Sequence, residues 1–131
     1  MLTPSQWFGR SGEAIAARHL RKQGYRIIEL NHRNRLGEID IIAEEGDTLV
    51  FVEVKARRNP KLESPKAAVT LRKQRKIVQV AQAYLKAGGH HQQRIRFDVV
   101  AISADTKPPR AELIRHAFDA TASPWRERDP T

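Results

Sequence analysis

Cysteine is absent from the chain. That excludes a disulfide framework and any thiolate nucleophile or ligand. Long apolar runs are missing as well, and none reaches the length that spans a bilayer. The opening stretch, Met1-Leu2-Thr3-Pro4-Ser5-Gln6-Trp7, lacks the basic and then apolar pattern of a secretory signal. Nothing in the sequence opposes a cytoplasmic location. There is no glycine-rich loop to cradle phosphate and no nucleophilic serine or cysteine motif. The five histidines, His19, His32, His90, His91 and His116, show no zinc-binding spacing. Negative charge is also scarce. Against 24 lysines and arginines stand 15 acids, a formal net charge of +9. That balance favours an anionic partner, with nucleic acid first and no membrane. A basic surface that serves only solubility is the alternative.

Three of the few acids and lysines stand where charge is unexpected. Asp40 lies inside Gly37-Glu38-Ile39-Asp40-Ile41-Ile42-Ala43, and Glu53 and Lys55 lie inside Leu49-Val50-Phe51-Val52-Glu53-Val54-Lys55. Both runs have the strand period. Charges inside such runs need a partner or a metal. With Glu44-Glu45-Gly46-Asp47 as a four-residue turn, Asp40 falls opposite Phe51 and Glu38 opposite Glu53. One face of this hairpin then carries Glu38, Asp40, Phe51, Glu53 and Lys55. The other carries Ile39, Ile41, Ala43, Val50, Val52 and Val54. Asp40 and Glu53 become diagonal neighbours, close enough to share a cation.

At 131 residues the chain suits one domain. We expect that domain over residues 1–120, with 121–131 as a flexible tail. Thr3 reads as the cap of a first helix that ends at Gly24. A strand follows from Tyr25 to Leu30, then a basic loop from Asn31 to Gly37, then the hairpin. A second basic loop covers Arg57 to Glu63. Ser64-Pro65 opens a long helix that ends at Gly88-Gly89. Its apolar stripe is Ala67, Leu71, Val78, Ala81 and Leu85, widened by Ile77 and Tyr84. Ile95 to Ile102 is a fourth strand and Leu113 to Phe118 a short fifth. The expected fold is α/β, in the order α-β-β-β-α-β plus a short β. The first three strands form a meander, and the long helix crosses over to a parallel fourth strand.

Asp40 and Glu53 suit a hard cation, Mg²⁺ or Mn²⁺, which takes oxygen ligands and substrate phosphate. Solvated acids on an open sheet face are the alternative. Lys55 either acts on the attacking water and the phosphate charge or forms a salt bridge to Glu53 or Glu38. Glu13 shares a helix face with Ala16, Ala17 and Leu20, and either points at the metal or sits at the edge of the stripe. Asp98 reads as structural, paired with Arg94 or Arg96. Arg33, Arg35, Arg57, Arg58, Arg72, Lys73, Arg75 and Lys76 flank the site and are candidates for phosphate contacts.

The carriers of a wider likeness are Gly12-Glu13 with Ala16 and Leu20, Asn31, Arg33, Gly37-Glu38-Ile39-Asp40, Phe51-Val52-Glu53-Val54-Lys55, Ala83-Tyr84-Leu85 and Arg96-Phe97-Asp98-Val99-Val100. Over roughly residues 5 to 118 the chain resembles the YraN-type family of small bacterial proteins. That family is similar to archaeal Holliday-junction resolvases and resembles the restriction-endonuclease-like, PD-(D/E)xK, nuclease superfamily. The likeness implies a restriction-endonuclease-like core. It also implies Asp40, Glu53 and the Val54 carbonyl as metal ligands, Lys55 as catalytic lysine, and Glu13 as the helix acid of the resolvase-like branch. Two departures bear on substrate contacts: the loop from Arg57 to Glu63 lacks an expected glycine, and the end near His116 and Phe118 is short. The reading that follows is a metal-dependent endonuclease for DNA rather than RNA, branched or junction DNA included. Two alternatives stay open: a nucleic-acid-binding module without useful turnover, and a subunit that lends its basic surface to a complex. A symmetric homodimer would give so small a domain its grip on duplex DNA.

Overall fold

A computed structural model describes residues 4–57, 61, 64, 69–89 and 93–120, with side chains from Gly12 onward. The elements are α1 (Pro4–Lys22), β1 (Arg26–Asn34), β2 (Gly37–Glu45), β3 (Thr48–Arg57), α2 (Leu71–Gly88), β4 (Arg94–Ser103) and β5 (Arg110–Phe118). The five strands lie side by side in chain order. β1, β2 and β3 are antiparallel, β4 runs parallel to β3, and β5 returns antiparallel. This is the mixed sheet and element order expected from the sequence. Among the described residues no helix is long and apolar enough to cross a membrane.

Each face of the sheet takes one helix. α1 places Ala16, Ala17 and Leu20 over Ile41, Ala43, Val50, Val52, Val100 and Ile102. α2 places Ile77, Val78, Val80 and Ala81 over Ile42, Leu49, Phe51, Phe97 and Val99. Phe51, Phe97 and Phe118 stack in a row at 5.6 and 5.1 Å between ring centres. So neither face of the β2–β3 hairpin is left to charge alone. The face expected to carry the acids is apolar up to Phe51, and only its far end is polar.

Several boundaries differ from the sequence reading. The hairpin turn is Gly46-Asp47, because Glu45 pairs with Thr48 and Glu44 with Leu49. Gly46 takes a positive φ of 59°, which a tight hairpin turn needs and glycine supplies. Glu44 and Glu45 stay in the strand because donors meet them: the Arg26 guanidinium and the Gln93 amide reach Glu44, and Arg96 and Arg115 reach Glu45. The register moves by two residues from the one expected, so the alternation of faces survives where the strands pair, from Ile41 to Glu45 and from Thr48 to Val52. β1 also runs through the expected basic loop to Asn34, with a turn at Arg35-Leu36. Gly37 closes that turn under α2, where an added Cβ would lie 3.2 Å from Val80 Cγ2.

α2 starts later than the Ser64-Pro65 signal suggests. Thr70 is its cap, accepting the Lys73 N–H at 3.2 Å, and Gly89 ends it in a left-handed conformation. Leu71, expected in the apolar stripe, is 49% exposed at the first turn, and Val80 takes part in the buried stripe instead. Thr3, Arg58, Pro65, Ala67, His90, His91 and the expected tail 121–131 lie outside the described residues.

Candidate metal and phosphate site

The regular pairing of β2 with β3 stops at Ile41 and Val52. The next residues along are Asp40 and Glu53. Here the hydrogen bond from β3 goes to a side chain: the Val54 N–H donates to Asp40 Oδ2 at 2.8 Å. A strand residue presents its N–H and C=O to the same edge, so the Val54 carbonyl faces this gap too. The alternation of β2 also breaks at Asp40. Ile39 packs on the α2 side and Ile41 on the α1 side, although two-residue spacing should keep them together. Across from Asp40 in β1 stands Asn31, between the pairs Leu30–Ile41 and His32–Ile39, with φ of 54°. Asparagine is among the few residues that tolerate that conformation. The kink at Asn31 and Asp40 corrects the expectation that Ile39 shares the face of Ile41.

The gap opens into a pocket of about 440 Å³ lined by Asp40, Glu53, Val54, Lys55, Val69, Thr70 and Lys73. Five of the sequence candidates, Asp40, Glu53, Val54, Lys55 and Lys73, therefore meet in one place. Glu53 is buried and Asp40 half-buried. Burial pushes the Glu53 carboxyl far above the usual range, and the Asp40 carboxylate within hydrogen-bonding reach pushes it further; Lys73 and Lys55 oppose. Two carboxylates forced together in a half-dry pocket must share a proton or a cation.

Glu13 stands close by on α1. Asn31 Nδ2 donates to its Oε2 at 2.9 Å. Its pKa is raised, first by burial, against the Asn31 hydrogen bond, and further by the charges of Asp40 and Glu38. Glu13 does not line the pocket itself. Asn31 is the residue that sequence reasoning left unassigned. The sequence places it in a loop, and its signal is an asparagine set inside what proves to be a strand.

Do these groups suit a divalent cation? Among the described residues no three His, Cys, Asp or Glu side chains gather as a cage. The donors are instead two carboxylates and the edge-facing Val54 carbonyl. Mg²⁺ is commonly held by one or two carboxylates while it keeps waters and takes substrate phosphate. The donor set fits that habit, and the crowded charge of Asp40 and Glu53 supplies the pull.

The basic residues divide. Arg72, Lys73, Arg75 and Lys76 line a groove of about 550 Å³ along α2 with Thr70 and Gln79. Thr70 and Lys73 line the carboxylate pocket as well, so the groove and the pocket adjoin. Arg35 is exposed at the β1–β2 turn. Arg33 is exposed and bonds Glu38 at 2.9 Å, which uses Glu38 away from the pocket. Arg57 does not join the phosphate candidates. Its side chain is only 8% exposed, and it donates to Ser103 Oγ and lies 3.7 Å from Glu112. The β3–β4 pairing carries it inward at the end of the strand. Lys55 is exposed, and among the described residues no ion pair joins it to Glu53 or Glu38.

Asp98 is structural, as its neighbours suggested, and its partner is Arg96. It is fully buried on the α1 side of the sheet. Arg96 also reaches Glu45, and Arg115 joins Glu45 from β5. Those hydrogen bonds, first from Arg115 and then from Arg96, pull the Glu45 carboxyl down to about 2.

Comparison with known proteins agrees with the sequence motifs. The sequence pattern of the uncharacterised protein family UPF0102 matches residues 12–102. A UPF0102 protein of Desulfosudis oleivorans is 50% identical over 120 residues, covering 92% of this chain and 96% of that protein. One from Rhodococcus jostii is 50% identical over 111 residues, 84% of this chain and 94% of its own. One from Stutzerimonas stutzeri is 42% identical over 120 residues, 91% of this chain and all of its own, 100%.

Proposed function

The chain belongs to the uncharacterised protein family UPF0102, the YraN-type family that its motifs resemble, and from the geometry of its pocket we propose that it is a metal-dependent endonuclease for DNA. One observation carries this reading. Asp40 and Glu53, two carboxylates with little reason to be near each other, face one another at the mouth of a basic groove. A stabilising role does not explain them, since like charges in a buried place cost free energy. A divalent cation and a phosphodiester explain both the acids and the groove.

In this reading Asp40, Glu53 and the Val54 carbonyl hold Mg²⁺ or Mn²⁺. When bound, the ion would supply charge stabilisation at the phosphate oxygens and acidify a water. Val54 N–H fixes the Asp40 carboxylate in place from behind. Asn31 holds Glu13 beside the site, where its acid can orient water or a second cation. Lys55 presents its ammonium to the pocket for the attacking water or the phosphate. Arg72, Arg75 and Lys76 grip phosphates on either side of the cut, which positions the strand but reads no sequence. The element order α-β-β-β-α-β is the one that the likeness to resolvases implies, and this extends the proposed substrates to branched DNA.

The absence of a third acid or imidazole in the pocket among the described residues favours a second reading, a nucleic-acid-binding module without turnover. One experiment separates the two. The protein is incubated with linear duplex, single-stranded, flapped and four-way DNA, and with RNA, in Mg²⁺ or Mn²⁺. The nuclease reading expects cleavage of a DNA member and none with a chelator. Binding without cleavage of any member supports the module. Failure to bind at all would overturn both and favour a subunit that meets an acidic protein.

A further inference from the structure

Lys73 sits where a simple grip on phosphate would not put it. It is the third residue of α2, and the Thr70 cap fixes its backbone. Its ammonium lies 3.7 Å from Glu53 Oε2. The lysine side chain is 46% exposed and that of Glu53 only 9%, so the pair joins open groove to closed pocket. Lys73 lines both. The motif lysine, Lys55, has no such contact among the described residues. The cation that already faces the buried acid is therefore the helix lysine.

A divalent ion on Asp40 and Glu53 would claim the same carboxylate. Two cations at one carboxylate repel, and the more mobile must leave. Lysine can do so, because its charge is a compact ammonium on a flexible stem. The space open to it is the α2 groove with Arg72, Arg75 and Lys76, where a phosphate would lie.

Resting on the metal-site reading above, we propose that Lys73 is an exchangeable counter-ion. It lies against the Glu53 carboxyl in the metal-free protein, gives way when the metal binds, and passes to the nucleic-acid backbone. Metal loading thus frees a phosphate contact, and binding of either ligand favours the other. Lys73 is a positioning residue here, acting through Glu53.

The test uses the full chain without nucleic acid, with Mn²⁺ titrated by calorimetry at fixed pH and salt. Removing a half-exposed competitor such as this should matter by about three- to fivefold, the upper range for such ion pairs. Lys73→Gln is expected to bind Mn²⁺ tighter by that factor, and Lys73→Arg, which keeps the charge, to bind like the native protein. Equal or weaker binding by Lys73→Gln, with native binding intact, overturns the exchange and leaves the metal site standing. No Mn²⁺ binding by the native protein overturns the metal site and the exchange with it.

Discussion

Lys55→Ala is expected to lower DNA cleavage by about a hundredfold or more, the usual loss when one group that stabilises transition-state charge is removed. The affinity for uncleaved DNA should stay within a few fold. The asymmetry follows from placement. Lys55 follows Glu53 by two residues on β3 and lines the same pocket, which in the proposed function sets its ammonium beside the reacting phosphate. In the proposed function the grip falls to the groove along α2, lined by Arg72, Arg75 and Lys76. One lysine is a small part of a chain with net charge +9. Single-turnover cleavage and equilibrium binding measured on the same variant decide it. A variant that cleaves at the native rate removes Lys55 from the chemistry and leaves Lys73, the cation nearer Glu53, as the candidate.

A loss of comparable size, in stability rather than in rate, is expected for Asp98→Ala. The carboxylate is completely buried and accepts four hydrogen bonds. Tyr25 OH donates to Oδ2 at 2.6 Å, Arg96 Nε to Oδ1 at 2.8 Å, Arg96 Nη2 to Oδ2 at 2.9 Å, and the His116 N–H to Oδ1 at 2.9 Å. That last donor matters most for the fold. Pairing of β4 with β5 slips between Phe97 and Val99, and His116 there has a positive φ of 52°. Its N–H is turned from the ladder, and Asp98 is what receives it. Removing the acid leaves this donor and a mostly buried guanidinium short of a partner. Breaking one side of a buried pair costs about 3–5 kcal/mol, which would lower Tm by on the order of 10 °C or more. Tyr25→Phe, which deletes a single hydrogen bond, should cost about 1–2 kcal/mol. Thermal unfolding of the three proteins checks the order. An Asp98→Ala protein as stable as the native one would contradict the structural role given to this acid.

The order of elements and the two carboxylates were legible because each rests on a local pattern. Alternation marked β2 and β3, and a charge inside an apolar run marked Asp40 and Glu53. The register was wrong by two residues because Glu44 and Glu45 look like turn residues on their own. They are strand residues only because Arg26, Arg96 and Arg115, far away in sequence, arrive opposite them. The parity of the slip saved the site, since a shift of two keeps the paired side chains on their faces, and only Ile39, beyond the kink at Asp40, changes side. Asn31 was illegible for a related reason. Its role depends on a left-handed backbone inside a strand and on Glu13 coming near from α1, and neither is written in the residues beside it. Arg57 misled in the opposite direction. It follows a charged motif and looks like surface, but Ser103 and Glu112 on neighbouring strands draw it in. Ser64-Pro65 is a sound capping signal for α2, while Thr70 makes the cap that the structure uses.

The most direct measurement of the central claim is Mn²⁺ binding by calorimetry to the native protein and to Asp40→Asn. The amide keeps an oxygen for the Val54 N–H, which holds Asp40 at 2.8 Å in the native chain, so the local fold should persist while one ligand charge is lost. The account predicts one strong site in the native protein and its loss, or a weakening by about tenfold or more, in the variant. Equal binding by the two proteins would contradict the assignment of Asp40 and Glu53 as a metal site, and the nuclease reading with it.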